Sequence, residues 1–208
     1  TDAYLGNGSA LWKLPKLEEL PEIHPHIVSE SNKDNYNACT RDEETKVRYF
    51  AYAGMEGFTH RNCGLERDSE KASISTDGAN HAKMVETRAK KVAQIANQIP
   101  PLTVEGNPDA DMLVIGWGST HGHLLSAVNK MNEIGKPCAL AHFNYINPLP
   151  KNSAEIIKKY KKVIVCELNS GQFATYLRSQ IPHEYLQYNK VEGQPFNVGQ
   201  IVEYLKTL

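Results

Sequence analysis

Gly116-Trp117-Gly118-Ser119-Thr120-His121-Gly122 is the segment whose residue types and spacing come nearest to a recognisable chemistry. It follows the apolar run Met112-Leu113-Val114-Ile115 and opens a stretch of helical period. A dinucleotide fingerprint sits in that position, and helix N-terminal amides there hold anions. The spacing departs from the fingerprint: His121 stands at its third glycine position, Gly122 comes one residue late, and a later apolar run ends in His142-Phe143-Asn144 without a carboxylate to hold a ribose. A tight strand-to-helix turn that needs small residues accounts for the glycines. Two more polar loops follow apolar runs, Asn144-Tyr145-Ile146-Asn147-Pro148-Leu149-Pro150 and Glu167-Leu168-Asn169-Ser170-Gly171-Gln172. In a parallel sheet all three loops lie on one rim, the rim where open α/β domains bind ligands. Singly each has a turn explanation, with Gly171 for its backbone, Pro148 and Pro150 as stops and Asn169 as a helix cap. Jointly they make Gly116, Gly118, Ser119, Thr120, His121, Asn147, Glu167, Asn169 and Gln172 candidates for a ligand rim or an interface, with Glu167 and Asn169 expected to stand exposed.

Metal chemistry finds less support. Among eight histidines, His24-Pro25-His26, His60-x-x-Cys63 and His121-x-His123 each offer two ligands, but no third and fourth partner follows at conventional spacing, so no metal site is assigned. Cys39, Cys63, Cys138 and Cys166 are scattered, without a C-x-x-C pair. An iron-sulfur cluster needs about four clustered thiolates, and any such cluster belongs to another chain. Cys138 and Cys166 fall inside apolar runs, where a reduced thiol acts as a small hydrophobe, so the expected compartment is the reducing cytoplasm.

Charge and hydropathy exclude other classes. The 208 residues carry 23 basic against 24 acidic side chains, a formal charge of -1, with no basic block to grip nucleic acid. The longest apolar runs fall far short of the ~18–20 residues of a membrane helix, so no membrane partner is expected. The first nine residues lack an initiator Met, a basic region and an apolar region, so they are not read as a signal peptide; they look like a chain entered midway.

The elements that must position these loops are legible in the C-terminal half. Apolar runs at 112–116, 137–143, 162–167 and, more weakly, 185–188 alternate with helical sets: Leu124, Leu125, Val128 and Met131; Ile156, Ile157 and Tyr160; Phe173, Tyr176, Leu177 and Ile181; Ile201, Val202 and Leu205. Such alternation predicts a three-layer α/β/α domain with a parallel sheet over residues 109–208. Residues 76–108 read as a linker containing a helix at 80–99, with Asp77 or Asn80 as its start signal, Met84, Arg88, Val92, Ile95 and Ile99 on one stripe, and Pro100-Pro101 as its stop. Residues 1–75 are irregular, with a Pro-rich passage at 14–25, a polar loop at 29–44 and an alternating stretch at 46–58 that predicts a hairpin or edge strands. No self-contained core is visible there.

Gly116-Trp117-Gly118-Ser119-Thr120-His121-Gly122, His142-Phe143-Asn144-Tyr145-Ile146-Asn147-Pro148-Leu149-Pro150 and Glu167-Leu168-Asn169-Ser170-Gly171-Gln172 resemble the C-terminal part of the alpha subunit of 2-oxoacid:ferredoxin oxidoreductases, most closely the 2-oxoglutarate type. Thr1-Asp2-Ala3-Tyr4-Leu5-Gly6-Asn7-Gly8-Ser9-Ala10-Leu11-Trp12 is similar to the end of that subunit's thiamine-pyrimidine domain, and Gly64-Leu65-Glu66 with Asn80-His81-Ala82-Lys83-Met84-Val85 to its connecting region. The resemblance runs along nearly the whole chain in the family's order.

It implies an oxidative decarboxylation of a 2-oxoacid to an acyl-CoA, using coenzyme A, thiamine diphosphate with Mg, an iron-sulfur cluster and ferredoxin in the whole complex. It also implies a beta subunit as partner, and a resemblance of residues 109–208 to the transketolase C-terminal domain. No catalytic residue is carried over, because the family's substrate-contacting and pyrimidine-binding motifs have no counterpart here, and no cofactor is expected to be bound by this part alone. Ala3 stands where the family usually has Gly, and Phe143-Asn144 where it often has Leu-Arg, so the anion contact of that Arg is not carried over. The alternative left open is an independent α/β binding or scaffold module, since a shared fold alone does not fix function.

Overall fold

Short runs of β-branched and apolar residues bounded by turn formers become strands here, and the intervening periodic stretches become the helices that cover them. The computed structural model describes residues 16–28, 34, 36–61 and 64–208. The expectations for residues 1–12, for Cys63, and for part of the loop at 29–44 fall outside them. The chain divides between residues 98 and 99 into two compact units.

The unit over residues 99–208 contains β1 (Val104–Gly106), β2 (Met112–Trp117), α2 (His121–Glu133), β3 (Cys138–Phe143), α3 (Ser153–Lys159), β4 (Lys162–Glu167), α4 (Gln172–Gln180), β5 (Leu186–Asn189) and α5 (Val198–Lys206). The five strands form one sheet in the order β1-β3-β2-β4-β5. β2 runs parallel to β3 and to β4, and β4 to β5, with Ile115 level with both Ala141 and Val165. β1 is antiparallel to β3 at the edge. This strand was not expected, because three residues are too short to show a period.

Alternation along each strand sends successive side chains to opposite faces. On one face Leu113, Ile115, Ala141, Phe143, Val163 and Val165 pack with Ile157 of α3 and Phe173 and Leu177 of α4. On the other, Val114, Leu140, Ile164 and Cys166 pack with Leu124 and Met131 of α2 and Ile201 and Leu205 of α5. The three-layer expectation is met, with an antiparallel edge added to the parallel sheet. Burial pushes the Cys138 thiol up to about 11 and the Cys166 thiol up further still, so both are packing groups without thiolate character.

The unit over residues 13–98 is built differently. Among its described residues the one α-helix, α1 (Gly78–Ala93), starts where Asp77 accepts a hydrogen bond from the Asn80 amide at 2.7 Å. The buried Asn80 side chain accepts from Ser69 N at 2.9 Å and donates to Arg67 O at 2.9 Å, which ties the preceding loop to the helix. The expected apolar stripe is partial, since Met84 is buried while Val92 and Ile95 are exposed. The helix gives way to a 3-10 turn at Gln94–Asn97, ahead of the prolines. Neither the hairpin nor the edge strands expected at 46–58 form. Among the described residues, bridges outside the sheet are isolated, Ile27 with Phe50, Arg41 with Arg48 and Arg67 with Ile74. Lys46, Gly54 and Gly57 all adopt positive φ, which breaks any extended run. Among the described residues, no helix is long and apolar enough to cross a membrane.

Candidate functional site

The sheet's rim is set by how β2 ends. Gly116 is buried, and a Cβ there would run into Leu124 Cδ1 and lie 2.9 Å from Thr120 Oγ1, so close approach dictates glycine. The buried Thr120 closes the turn, its hydroxyl donating to Trp117 O at 2.8 Å and accepting from Trp117 N at 3.2 Å. Gly118 and Ser119 form the 3-10 turn with Thr120 that leads into α2.

His121, at the start of α2, places Nε2 2.7 Å from Glu105 Oε1 on β1. His142 of β3, level with Gly116, lies edge-on to His121, with ring centroids 4.9 Å apart. Its Nε2 is 3.0 Å from Gly118 O. Because a carbonyl oxygen only accepts, Nε2 carries the proton, which leaves Nδ1 as a bare acceptor. That Nδ1 is buried and lacks a hydrogen-bond partner among the described residues. Burial, and secondly the neighbouring His121, hold His142 below the ordinary imidazole value. Three segments distant in sequence thus place Glu105, His121 and His142 side by side, an arrangement suited to hydrogen bonding a polar group.

The other half of the rim corrects the expectation of exposure. Glu167 is fully buried. Its carboxylate accepts from the amides of Phe173 at 2.8 Å and Ala174 at 2.9 Å, with Trp117 Nε1 at 3.4 Å. Those are first-turn amides of α4, which have no partner within the helix, and the helix dipole favours negative charge there. Glu167 is therefore a cap and not a free rim group. The signal was present, because Val163, Val165 and Glu167 alternate onto the face that α4 covers. Asn169 follows its turn explanation: half-buried, its Oδ1 accepts from Gly171 N at 2.8 Å and Gln172 N at 3.2 Å. Gly171 has φ 95° against the Gln187 side chain. Gly116 and Thr120 are likewise buried, so neither stands open on the rim.

Among the remaining candidates, Gly118, Asn147 and Gln172 are exposed, and His121 is half-buried. Asn147 accepts from the Tyr176 hydroxyl at 3.3 Å. Sequence reading missed two members of the cluster. Glu105 lies before residue 109, on the edge strand, and His142 stands out in the sequence only as a strand end without a carboxylate and as the start of a resemblance motif. Among the described residues, no group of three or more His, Cys, Asp or Glu side chains is arranged to hold a metal ion.

No family model matches the chain. It is 35% identical over 207 residues to the 2-oxoglutarate oxidoreductase subunit KorA of Mycobacterium tuberculosis, covering 99% of this chain and 31% of that protein. The alpha subunit of 2-oxoacid:ferredoxin oxidoreductase from Saccharolobus solfataricus is 30% identical over 151 residues, covering 70% of this chain and 24% of that protein. The solved 2-oxoglutarate:ferredoxin oxidoreductase from Magnetococcus marinus, with 2-oxoglutarate, coenzyme A and succinyl-CoA bound, superposes with a TM-score of 0.82 at 26% identity, over 93% of this chain and 34% of that one. The chain thus spans about a third of the length of this Mycobacterium tuberculosis relative. These relatives are oxidoreductase subunits, and the resemblance read from the three rim motifs is met along the chain.

Proposed function

We propose that this chain forms the C-terminal part of the alpha subunit of a thiamine-dependent 2-oxoacid:ferredoxin oxidoreductase acting on 2-oxoglutarate, in which it supports and docks and does not itself catalyse. The observation that carries this reading is the 35% identity to KorA along 99% of the chain. The reaction is the oxidative decarboxylation of the 2-oxoacid to its acyl-CoA in the cytoplasm. Thiamine diphosphate, Mg and an iron-sulfur cluster are held by other parts of the complex, and coenzyme A, ferredoxin and a beta subunit are its partners.

Residues 109–208 act as the transketolase C-terminal-like domain, residues 1–75 as the tail of the thiamine-pyrimidine domain with its connecting segment, and residues 76–108 as the link between them. Glu105, His121 and His142, with Asn147 and Gln172, form the part of the rim that meets the rest of the enzyme. The inward-facing Glu167 and Asn169 support this division of labour, because they spend their hydrogen bonds on the helix cap and leave the contact surface to the His121 side. The 208-residue chain alone should give no 2-oxoglutarate-dependent reduction of methyl viologen with thiamine diphosphate, Mg and coenzyme A supplied. Turnover by the chain alone would overturn the supporting role.

A further inference from the structure

Arg41, Lys46 and Arg48 from the irregular segment and Arg88 and Lys91 from α1 line one cavity of about 370 Å³, and no carboxylate side chain shares that lining. The Arg41–Arg48 bridge brings two of these residues level. Arg41 donates to Cys39 O at 2.9 Å and reaches Met84 Sδ at 3.9 Å, neither of them an anion. Burial, then the like charge of Arg48, hold its guanidinium below its ordinary value, with Arg88 adding to the effect. Lys46 has Glu43 at 3.2 Å and Arg88 has Glu66 at 3.3 Å. Among the described residues, Arg48 and Lys91 make no ion pair. Cations gathered in a concavity repel one another while it is empty, and an anion there converts that repulsion into attraction. Arginine forks match phosphate oxygens two at a time, and the volume is that of a small-molecule site. Phe50, 56% exposed, and the buried Met84 supply an apolar wall beside the cations.

We propose that this cavity binds a phosphate-bearing small molecule of the nucleotide class, with its phosphates on Arg41, Arg48 and Lys91 and its aromatic body against Phe50. This site is independent of the function proposed above, and its chemistry needs no residue of the sheet's rim.

The test is isothermal titration calorimetry of the 208-residue chain with ATP and, separately, with inorganic pyrophosphate, at low and at physiological salt. Both should saturate one site, and ATP should bind about tenfold more tightly than pyrophosphate because its base stacks on the aromatic wall. Arg48→Gln and Lys91→Gln should each weaken both ligands by roughly fivefold or more, since each removes a charged phosphate contact. Phe50→Ala should weaken ATP alone, and Lys136→Gln, in the other unit, should change neither. Thermal melts check that each variant is folded; should Arg48→Gln fail to fold, Lys91→Gln carries the test alone. Equal affinity for ATP and pyrophosphate, untouched by Phe50→Ala, overturns the nucleotide assignment in favour of a bare anion site. Absence of saturable binding by either ligand, or binding indifferent to Arg48→Gln and Lys91→Gln, overturns the site. So does salt-sensitive capture of poly-glutamate without ATP binding, which makes the patch a docking face for an acidic protein surface.

Discussion

The two compact units treat their charged groups in opposite ways. In residues 99–208 the one buried carboxylate, Glu167, is saturated by helix amides between two dense apolar clusters. In residues 13–98 the described buried apolar side chains are few, Val28, Cys39, Phe58 and Met84, and five cations line one cavity whose lining holds no carboxylate, only Lys46 and Arg88 of them making ion pairs among the described residues, with acids outside it. A periodic core fixes its polar groups by surrounding them. A unit with little core must instead be fixed by individual polar ties, such as Asn80 to the loop at 67–69, and it keeps charge available for something else.

The largest effect that sharpens this contrast comes from Glu167→Ala. Removing it leaves the Phe173 and Ala174 amides without acceptors in a buried site, so stability should fall by about 2–4 kcal/mol, read as a lower midpoint in urea with an unchanged slope. A loss below ~0.5 kcal/mol would show that water replaces the cap and that the site is not dry.

Asn80→Ala should cost less, about 1–2 kcal/mol, because two hydrogen bonds go while alanine's better helix propensity offsets part of the loss. The loss should be local. Hydrogen exchange should speed up at Ser69 and in the first turn of α1 while β2 and β4 amides keep their protection. Faster exchange throughout the sheet would contradict the independence of the two units.

How far these features were legible in the sequence follows the same division. The strands at 112–116, 137–143 and 162–167 were visible because β-branched runs and helical sets report a buried core directly, and the helix start was visible as Asp77 or Asn80, of which Asp77 is the cap. β1 was too short to signal. The hairpin or edge strands expected at 46–58 failed because the alternating residues there answer to isolated bridges, Arg48 to Arg41 and Phe50 to Ile27, while Lys46 sits at positive φ. At the site, His121 was found through its turn, whereas its companions Glu105 and His142 are brought in only by strand order, which one sequence does not display. Glu167 was misread as exposed because its place at a strand end outweighed its alternation with Val163 and Val165.

The smallest effect concerns pH. His142 titrates below its ordinary value of about 6.5 in the folded protein. As pH falls through the unfolded value, the unfolded chain therefore takes up more protons, and stability drops towards the folded value. Stability from this residue is thus fully present above neutrality and lost on acidification. His142→Gln should flatten the difference between melts at pH 7.5 and pH 5.5, and an identical pH slope in wild type and variant would remove His142 from the account.

The central claim, that this chain does the work of the matching third of an alpha subunit, is tested most directly by a chimera. KorA of Mycobacterium tuberculosis, with its matching segment replaced by these 208 residues and co-produced with the beta subunit proposed above, is assayed for 2-oxoglutarate- and coenzyme A-dependent viologen reduction. The account predicts turnover within about tenfold of unmodified KorA, a rise of under ~1.4 kcal/mol in the barrier. A chimera that folds and assembles with the beta subunit yet turns over no faster than KorA lacking the segment contradicts it.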